Sequence, residues 1–273
     1  MHARRVSFGA IGAIAMIAGA GPIEMTIDPA QSSIDLAITV DVSIANDTDT
    51  DSSSLSGVLA VEFDDYGNPT EITLHDLSIM IDDDLMFNWS FGFFGSANAS
   101  LVGGAVTWGS TDNVVGPVPV SSGDFVLPDV PVALAGTMFV DYDIFLVGEG
   151  SETISLADQG DFASTIDGSV AVSGETLTLT STLPLDATTP LTDSSGTQLG
   201  TLTVVGTATI VATGSAPACP ADLTGDGVLN FFDVSAFLNA YNAMDPIADF
   251  DNNGVFNFFD VSGFLNAFNA GCP

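Results

Sequence analysis

A 22-residue unit occurs twice in the chain, first as DLTGDGVLNFFDVSAFLNAYNA (residues 222–243) and then as DFDNNGVFNFFDVSGFLNAFNA (residues 249–270). The second copy begins 27 residues after the first, and 15 of the 22 aligned positions are identical. Cys219 precedes the first copy and Cys272 follows the second. No other part of the 273-residue sequence carries so specific a pattern, so this repeat is the firmest guide to the fold.

Each copy opens with a twelve-residue loop that is rich in oxygen-bearing side chains. Positions 1, 3, 5, 7, 9 and 12 of such a loop are the ligand positions of an EF-hand, position 7 through its carbonyl. The first copy places Asp222, Thr224, Asp226, Val228, Asn230 and Asp233 there, and the second places Asp249, Asp251, Asn253, Val255, Asn257 and Asp260. Position 6 is glycine in both copies, where the backbone must turn sharply. Each loop offers three carboxylates, so we expect two calcium sites.

An amphipathic helix is predicted after each loop. Apolar residues recur there with the spacing i, i+3, i+4 and i+7, which places them on one face of a helix. They are Val234, Phe237, Leu238 and Tyr241 in the first copy and Val261, Phe264, Leu265 and Phe268 in the second. We expect the two helices to bury these stripes against each other.

The duplicated loop-and-helix unit, with Asp at position 12, resembles the dockerin family. Its closing Gly271-Cys272 is similar to the ending of the GC-type dockerins, which occur at the C-termini of secreted planctomycete proteins. The resemblance covers about a fifth of the chain. It implies a small all-α dockerin-like module over residues 216–273, two bound Ca2+ ions, and docking onto a cohesin-like or other envelope protein.

Positions 10 and 11 of the loops are the ones that read the partner in dockerins, where they are often small polar residues. Here they are two pairs of phenylalanines, Phe231-Phe232 and Phe258-Phe259. The basic residues that often follow on the helix in the family are absent. The resemblance makes the two pairs candidate partner-binding residues, and burial in the core of the module is the alternative.

The first twenty residues have the pattern of a secretory signal peptide. Arg4 and Arg5 form a basic start, an apolar run follows, and Ala18-Gly19-Ala20 is a small-residue cleavage site. We therefore expect secretion, and a final location outside the cell or in its envelope. Two cysteines in a secreted chain suggest a disulfide between Cys219 and Cys272, with free thiols as the alternative.

The charge of the chain excludes several classes of partner. The formal net charge is −33, and it becomes −35 once Arg4 and Arg5, the only two basic residues besides the histidines, are removed with the signal peptide. Such a surface repels nucleic-acid phosphates and anionic lipids. Beyond the signal peptide, no apolar run is long enough to span a bilayer. We expect no nucleic-acid partner and no membrane span.

Residues 21–215 are predicted to form a mainly β domain, either a sandwich or a barrel. Short runs of Val, Ile, Leu and Phe alternate with Gly, Ser, Thr and Asp, which is typical of ten or more strands joined by turns. Residues 33–44 show this alternation most clearly. Residues 46–54, rich in Asp and Thr, are predicted to be a loop.

The sequence favours a β domain without catalytic activity. No Lys or Arg follows the signal peptide, which excludes Schiff-base lysines and arginine phosphate clamps. His75 is the only histidine left, and it lies in a predicted strand. A glycoside hydrolase needs only two carboxylates, so that enzyme class stays open. The six glutamates show no pairing by their spacing: Glu24, Glu62, Glu71, Glu149, Glu152 and Glu175.

Three functions remain open on the sequence. The favoured one is a secreted, non-enzymatic protein that the dockerin-like module attaches to an extracellular or envelope assembly. The second is a polysaccharide-active enzyme or carbohydrate-binding protein that carries the same module, which two carboxylates across a cleft with aromatic neighbours would favour. The third is a small-ligand-binding β-barrel, which a large apolar cavity would favour.

Overall fold

The computed structural model describes residues 21–42, 44–109, 113–145, 148–192, 198–217, 219–251 and 253–271. The predicted signal peptide and Cys272 lie outside these ranges. The described residues divide into two compact units, 21–217 and 219–271. The first is built of strands and the second of two helices with their loops, which confirms the predicted fold class.

Twelve strands occur in the described part of the first unit. They are β1 (Ile23–Ile27), β2 (Ser33–Asp41), β3 (Asn46–Phe63), β4 (Glu71–Ile81), β5 (Leu85–Ser90), β6 (Gly95–Trp108), β7 (Val115–Pro119), β8 (Asp124–Ile144), β9 (Gly148–Ser155), β10 (Phe162–Ser173), β11 (Thr176–Thr192) and β12 (Gln198–Ser215). The second unit contains α1 (Phe231–Ala243) and α2 (Phe258–Ala270). Short 3-10 helices lie at Gly92–Phe94, Leu156–Gln159 and Pro246–Ala248. None of the described helices has both the length and the apolar character that crossing a bilayer requires.

The strands form one antiparallel sheet whose pairings close on themselves. Backbone pairings lead from β2 through β3, β4, β6, β8, β10, β11 and β12 and return to β2. β1 pairs with both β3 and β12, β7 with β4, and β9 with β8. A closed circuit of eight strands is the topology of a barrel rather than of two separate sheets.

β5 continues the course of β4 after a turn at residues 82–84. Both strands lie along the same side of β6, with Ser78 of β4 opposite Thr107 and Leu85 of β5 opposite Leu101. β4 also pairs with the second half of β3, from Leu55 onward. In the backbone pairings of the described residues, β5 has β6 as its only partner.

The prediction of a loop at residues 46–54 is wrong, because β3 begins at Asn46 and this segment pairs with β2. Asp and Thr are common in loops, which is why composition indicated one. The period-two alternation of the segment is, however, that of a strand. Asp47, Asp49 and Asp51 are half-buried, whereas Thr48 and Thr50 are exposed.

A cluster of buried apolar side chains fills the part of the sheet around β2, β5 and β6. It consists of Ile38, Val40, Val42, Leu85, Phe87, Trp89, Phe91, Ala97, Ala99 and Ile144. Phe87 and Trp89 stack with ring centroids 6.0 Å apart. The indole N–H of Trp89 donates to the carbonyl of Ile38 at 2.8 Å, so β5 is tied to β2 through the interior of this cluster.

The helical unit has a core made by equivalent residues of the two repeats. Phe237 of α1 and Phe264 of α2 stack at a centroid distance of 4.2 Å and an interplanar angle of 6°. Phe250 meets both rings edge-on. A Cβ on Gly263 would lie 3.0 Å from the Cβ of Phe250, so the larger Phe250 of the second copy, in the place of Leu223, is accommodated by a glycine in the place of Ala236.

Candidate metal centre

The two repeated loops each bring three carboxylates together. In the first loop, ligand oxygens of Asp222, Asp226 and Asp233 all lie within 4.8 Å of one another. In the second, the same is true of Asp249, Asp251 and Asp260. The third carboxylate comes from loop position 5 in the first copy and from position 3 in the second.

The last carboxylate of each loop is fixed by the start of the following helix. Asn230 is the N-cap of α1, and its side chain accepts a hydrogen bond from Phe232 N–H at 2.7 Å. In return, Asp233 Oδ2 accepts from Asn230 N–H at 2.9 Å. This is a capping box, which satisfies N–H groups that the first turn of a helix leaves unpaired. Asn257 and Asp260 form the same box at α2.

The first carboxylate of each loop is fixed by the turn at position 6. Asp222 Oδ2 accepts from Gly227 N–H, and Asp249 Oδ2 accepts from Gly254 N–H, both at 2.7 Å. Both glycines have φ of +78°, a left-handed conformation that side chains with a Cβ rarely adopt. The sharp turn that the sequence predicts is therefore present in both copies.

Asp233 and Asp260 are fully buried carboxylates in an environment without positive charge. Burial raises the pKa of the Asp233 carboxyl, but hydrogen bonds from Asn230 N–H and from Thr224 outweigh it, so the net pKa is lowered. For Asp260, the bond from Asn257 N–H is the main cause of a lowered pKa. The described residues contain no Lys or Arg, so both loops hold converging negative charges without a protein cation.

The other predicted ligands lie beside these carboxylates. Thr224 Oγ1 donates to Asp233 Oδ1 at 2.8 Å, and Asn253 Nδ2 donates to Asp251 Oδ2 at 2.8 Å. The carbonyls of Val228 and Val255 each accept from the amide of the asparagine two residues later, at 2.9 Å. A carbonyl oxygen has two lone pairs, so one remains free for another partner.

The donor set of both loops suits calcium. All the candidate ligand atoms are oxygens, and they come from carboxylates, amides, a hydroxyl and a backbone carbonyl. Hard cations prefer such atoms, whereas zinc sites are usually built from cysteine and histidine. Calcium in particular accepts six to eight oxygens in flexible geometry, which matches short loops of mixed ligands.

The two phenylalanine pairs lie on the surface of the helical unit and not in its core. Phe231 and Phe232 are 76% and 68% exposed, and Phe258 and Phe259 are 74% and 69% exposed. Leu238 and its equivalent in the second repeat are also more than half exposed, although the helical spacing predicted them in the buried stripe. The packed face is narrower than predicted, since the valines, Tyr241 and Phe268 of the two stripes pack against the core of Phe237 and Phe264 and the two leucines do not.

Cys219 takes part in a disulfide. Its predicted partner, Cys272, lies outside the described residues.

The β unit offers His75 and a polar pocket as candidate functional features. His75 Nε2 lies 2.8 Å from Glu62 Oε2 on the neighbouring strand, and both side chains are partly exposed. A pocket of about 510 Å3 is lined by Ser96, Asn98, Asp141, Tyr142, Asp143, Glu149, Gly150 and Ser151. A second pocket, also polar, adjoins the turn before β2. Neither has the apolar lining expected of a hydrophobic-ligand barrel.

Comparison of the chain with protein-family models, with curated proteins and with solved structures found no match.

Proposed function

We propose that this protein is secreted and is attached to an extracellular or envelope assembly by its helical unit in a calcium-dependent manner. The unit would bind two calcium ions through the repeated loops and present its exposed phenylalanine pairs to a protein partner. The partner would be a cohesin-like protein or another envelope protein with an apolar docking surface. The β unit would be the cargo that is displayed.

One observation carries the proposal: each loop gathers three carboxylates within 4.8 Å and buries one of them with no protein cation nearby. Clustered negative charges repel one another, and taking a carboxylate out of water adds a further cost. A bound divalent cation would remove both penalties. Bound calcium would supply two positive charges per loop and a common centre for the oxygen ligands.

The residues of the chain would perform distinct tasks in this function. The capping boxes at Asn230 and Asn257 hold the last carboxylate of each loop at the start of a helix. A change at the loop is thereby transmitted to the first helical turn, where the exposed phenylalanines lie. Metal affinity becomes folding free energy when the ligands are ordered only in the bound state.

Isothermal titration calorimetry and a retention assay on the full chain test the proposal. We expect two calcium-binding events, and retention of the chain by envelope proteins from the source cells in calcium but not in chelator. A variant with all four of Phe231, Phe232, Phe258 and Phe259 changed to Ser should bind calcium with unchanged affinity and lose retention. Absence of calcium heat would overturn the metal sites, and undiminished retention of the four-Ser variant would overturn the docking surface.

A second candidate function is carbohydrate binding by the β unit. The larger pocket brings Asp141, Asp143 and Glu149 together beside the ring of Tyr142, and carboxylates are good acceptors for sugar hydroxyls. Affinity electrophoresis in gels that contain neutral polysaccharides would detect such binding. Under this hypothesis an Asp141→Ala/Asp143→Ala variant migrates unretarded in a gel that retards the parent chain, and an unretarded parent chain contradicts it.

A further inference from the structure

Three aspartates of β3 link this strand to β5 where no backbone pairing joins the two. Asp47 Oδ2 accepts from Ser90 N–H at 2.7 Å, and Asp49 Oδ2 accepts from Asn88 N–H at 2.7 Å. Asp51 Oδ2 accepts from Met86 N–H at 2.6 Å. The aspartate number rises by two as the β5 number falls by two, so the bonds follow a regular antiparallel register.

The second oxygen of each carboxylate binds β3 itself. Oδ1 of Asp47, Asp49 and Asp51 accepts from the N–H of the following residue, in each case at 2.9 Å. Each carboxylate thus bridges one N–H of β3 and one N–H of β5. Carboxylates that accept backbone N–H groups make charge-assisted bonds, which are stronger than neutral ones. We name this set of three carboxylates the aspartate seam.

The aspartate seam takes over where the backbone ladder between β3 and β4 ends. The ladder runs as far as Leu55 opposite Ile81. Beyond it, Asp82 accepts bonds from the hydroxyls of Ser54 and Ser56, and the turn then leads into β5. From there on, carboxylates occupy the gap that direct N–H to C=O bonds would otherwise span.

The aspartate seam closes the sheet over the buried cluster around Trp89. β5 contributes Leu85, Phe87 and Trp89 to this cluster, and β6 holds its other edge. Besides the seam, the described residues tie β5 to β2 by the bond from Trp89 to the carbonyl of Ile38. Loss of the seam would therefore free one edge of β5 and leave the β6 pairing in place.

The charged surroundings of the seam are entirely acidic. On the neighbouring β2, Asp35 accepts from the Ser33 hydroxyl and Asp41 lies at the end of the strand. The turn before β5 contributes Asp82, Asp83 and Asp84, and β5 and the facing part of β6 carry no titratable side chain. His75, the one described residue of potential positive charge, is paired with Glu62.

We propose that the aspartate seam is a proton-sensitive closure that releases the β3-facing edge of β5 when its carboxylates are protonated. A protonated carboxyl carries a hydrogen on one oxygen, and in the seam both oxygens face N–H donors. One of the two bonds is then lost and a donor meets a donor. The three rungs lie side by side and bridge the gap by hydrogen-bond acceptance alone, so their loss concentrates on β5.

Asparagine imitates the protonated state at neutral pH, because its amide nitrogen donates where a carboxylate oxygen accepts. We therefore propose Asp49→Asn in the full chain, followed by amide hydrogen exchange measured by NMR at pH 7. The amides of Met86, Asn88 and Ser90 should exchange faster by on the order of tenfold, as loss of roughly one to two hydrogen bonds predicts. Amides of the β11–β12 pairing should be unchanged.

A pH series provides the second measurement. In a Trp108→Phe background, Trp89 is the only tryptophan of the chain, so its emission reports on the buried cluster. We expect a red shift on acidification before the amides of β11 and β12 lose protection. Asp35→Asn is the control and should alter neither readout. Equal exchange of the three β5 amides in Asp49→Asn and in the parent chain would overturn the proposal, and so would simultaneous loss of protection throughout the barrel in acid.

Discussion

Aspartate plays opposite structural parts in the two units of this molecule. In the repeated loops, three carboxylates per copy converge within 4.8 Å. In β3, three carboxylates stand two residues apart along a strand, and each oxygen accepts a backbone N–H. Aspartates of both regions accept backbone N–H groups, so the difference between them lies in the spacing of the carboxylates. Dispersed carboxylates can replace a backbone ladder, whereas converging ones form the cation sites that we propose.

The largest effect is expected when the buried carboxylate of a repeated loop is removed. Asp233→Ala should weaken calcium binding by the first loop, and Asp260→Ala by the second, each by more than about a hundredfold. Even changes outside the immediate ligand shell of a metal cost up to about that factor. Calorimetry on the full chain measures the affinities. Asp245→Ala removes the same charge from the same unit but outside the loops, and a comparable loss in that variant would argue for a general charge effect.

The next largest effect is expected when one carboxylate of the aspartate seam is removed. Asp51→Ala leaves one N–H of β3 and one of β5 without an acceptor, so it should destabilise the β unit by roughly 1–3 kcal/mol. Urea unfolding monitored by tryptophan fluorescence measures this, since both tryptophans lie in the β unit. Asp35→Ala, which loses only a bond to the Ser33 hydroxyl, should be nearly neutral. Equal unfolding midpoints for the two variants would contradict the structural role of the seam, and calcium affinity should be unaffected in both.

A smaller effect is expected when the third carboxylate of the first loop is removed from position 5 or moved to position 3. Asp226→Asn alone should reduce the affinity of the first loop by about tenfold, because one of its three carboxylates is lost. Adding Thr224→Asp restores the count and reproduces the arrangement of the second loop. The double variant should therefore regain affinity to within about threefold of the parent. Calorimetry decides, and failure to regain affinity would show that the position of the third carboxylate matters more than the number.

The smallest effect concerns the acid stability that Asp64 provides, a residue that belongs neither to the repeated loops nor to the aspartate seam. Burial raises the pKa of Asp64, but hydrogen bonds from Thr70, Glu71 and Asp65 more than offset it, so the net pKa is lowered. A lowered folded-state pKa stabilises the fold above the unfolded value of 3.8, and that contribution disappears as the pH falls through the folded value. Asp64→Asn should thus lower stability at pH 7 by less than about 1 kcal/mol and reduce the loss between pH 5 and about pH 2. Thermal unfolding across this range tests it, and an unchanged acid limb would speak against the assignment.

The loops could be predicted from sequence because everything that fixes them is local. Ligand spacing, the glycine at position 6 and the capping box all fall within twelve consecutive residues, and the structure contains each of them. The prediction of a loop at residues 46–54 is wrong because it, too, used only local composition. This segment is a strand because its backbone pairs with β2, and its aspartates accept N–H groups of β5 that lie 35 to 43 residues further on, which no local pattern indicates.

Other details depended on packing geometry that periodicity does not capture. Helical spacing placed Leu238 in the buried stripe, yet it is 56% exposed and lies outside the core that is built around Phe237 and Phe264. The exposed Phe pairs could not be assigned to core or surface from sequence, since apolar character alone favours burial. Sandwich and barrel were likewise indistinguishable until the pairing of β12 with β2 closed the circuit.

The stack of Phe237 on Phe264 has a consequence for how the helical unit is built. These residues occupy the same position in the two repeats, so each meets its own counterpart, as happens at the two-fold axis of an isologous dimer. The unit is in this sense a dimer whose two halves, residues 222–243 and 249–270, are joined by residues 244–248. A single repeat, expressed alone, would have to find a second copy of itself to cover its phenylalanine. Joining the halves in one chain replaces a concentration-dependent association by an intramolecular one, so the two halves can pair at any protein concentration.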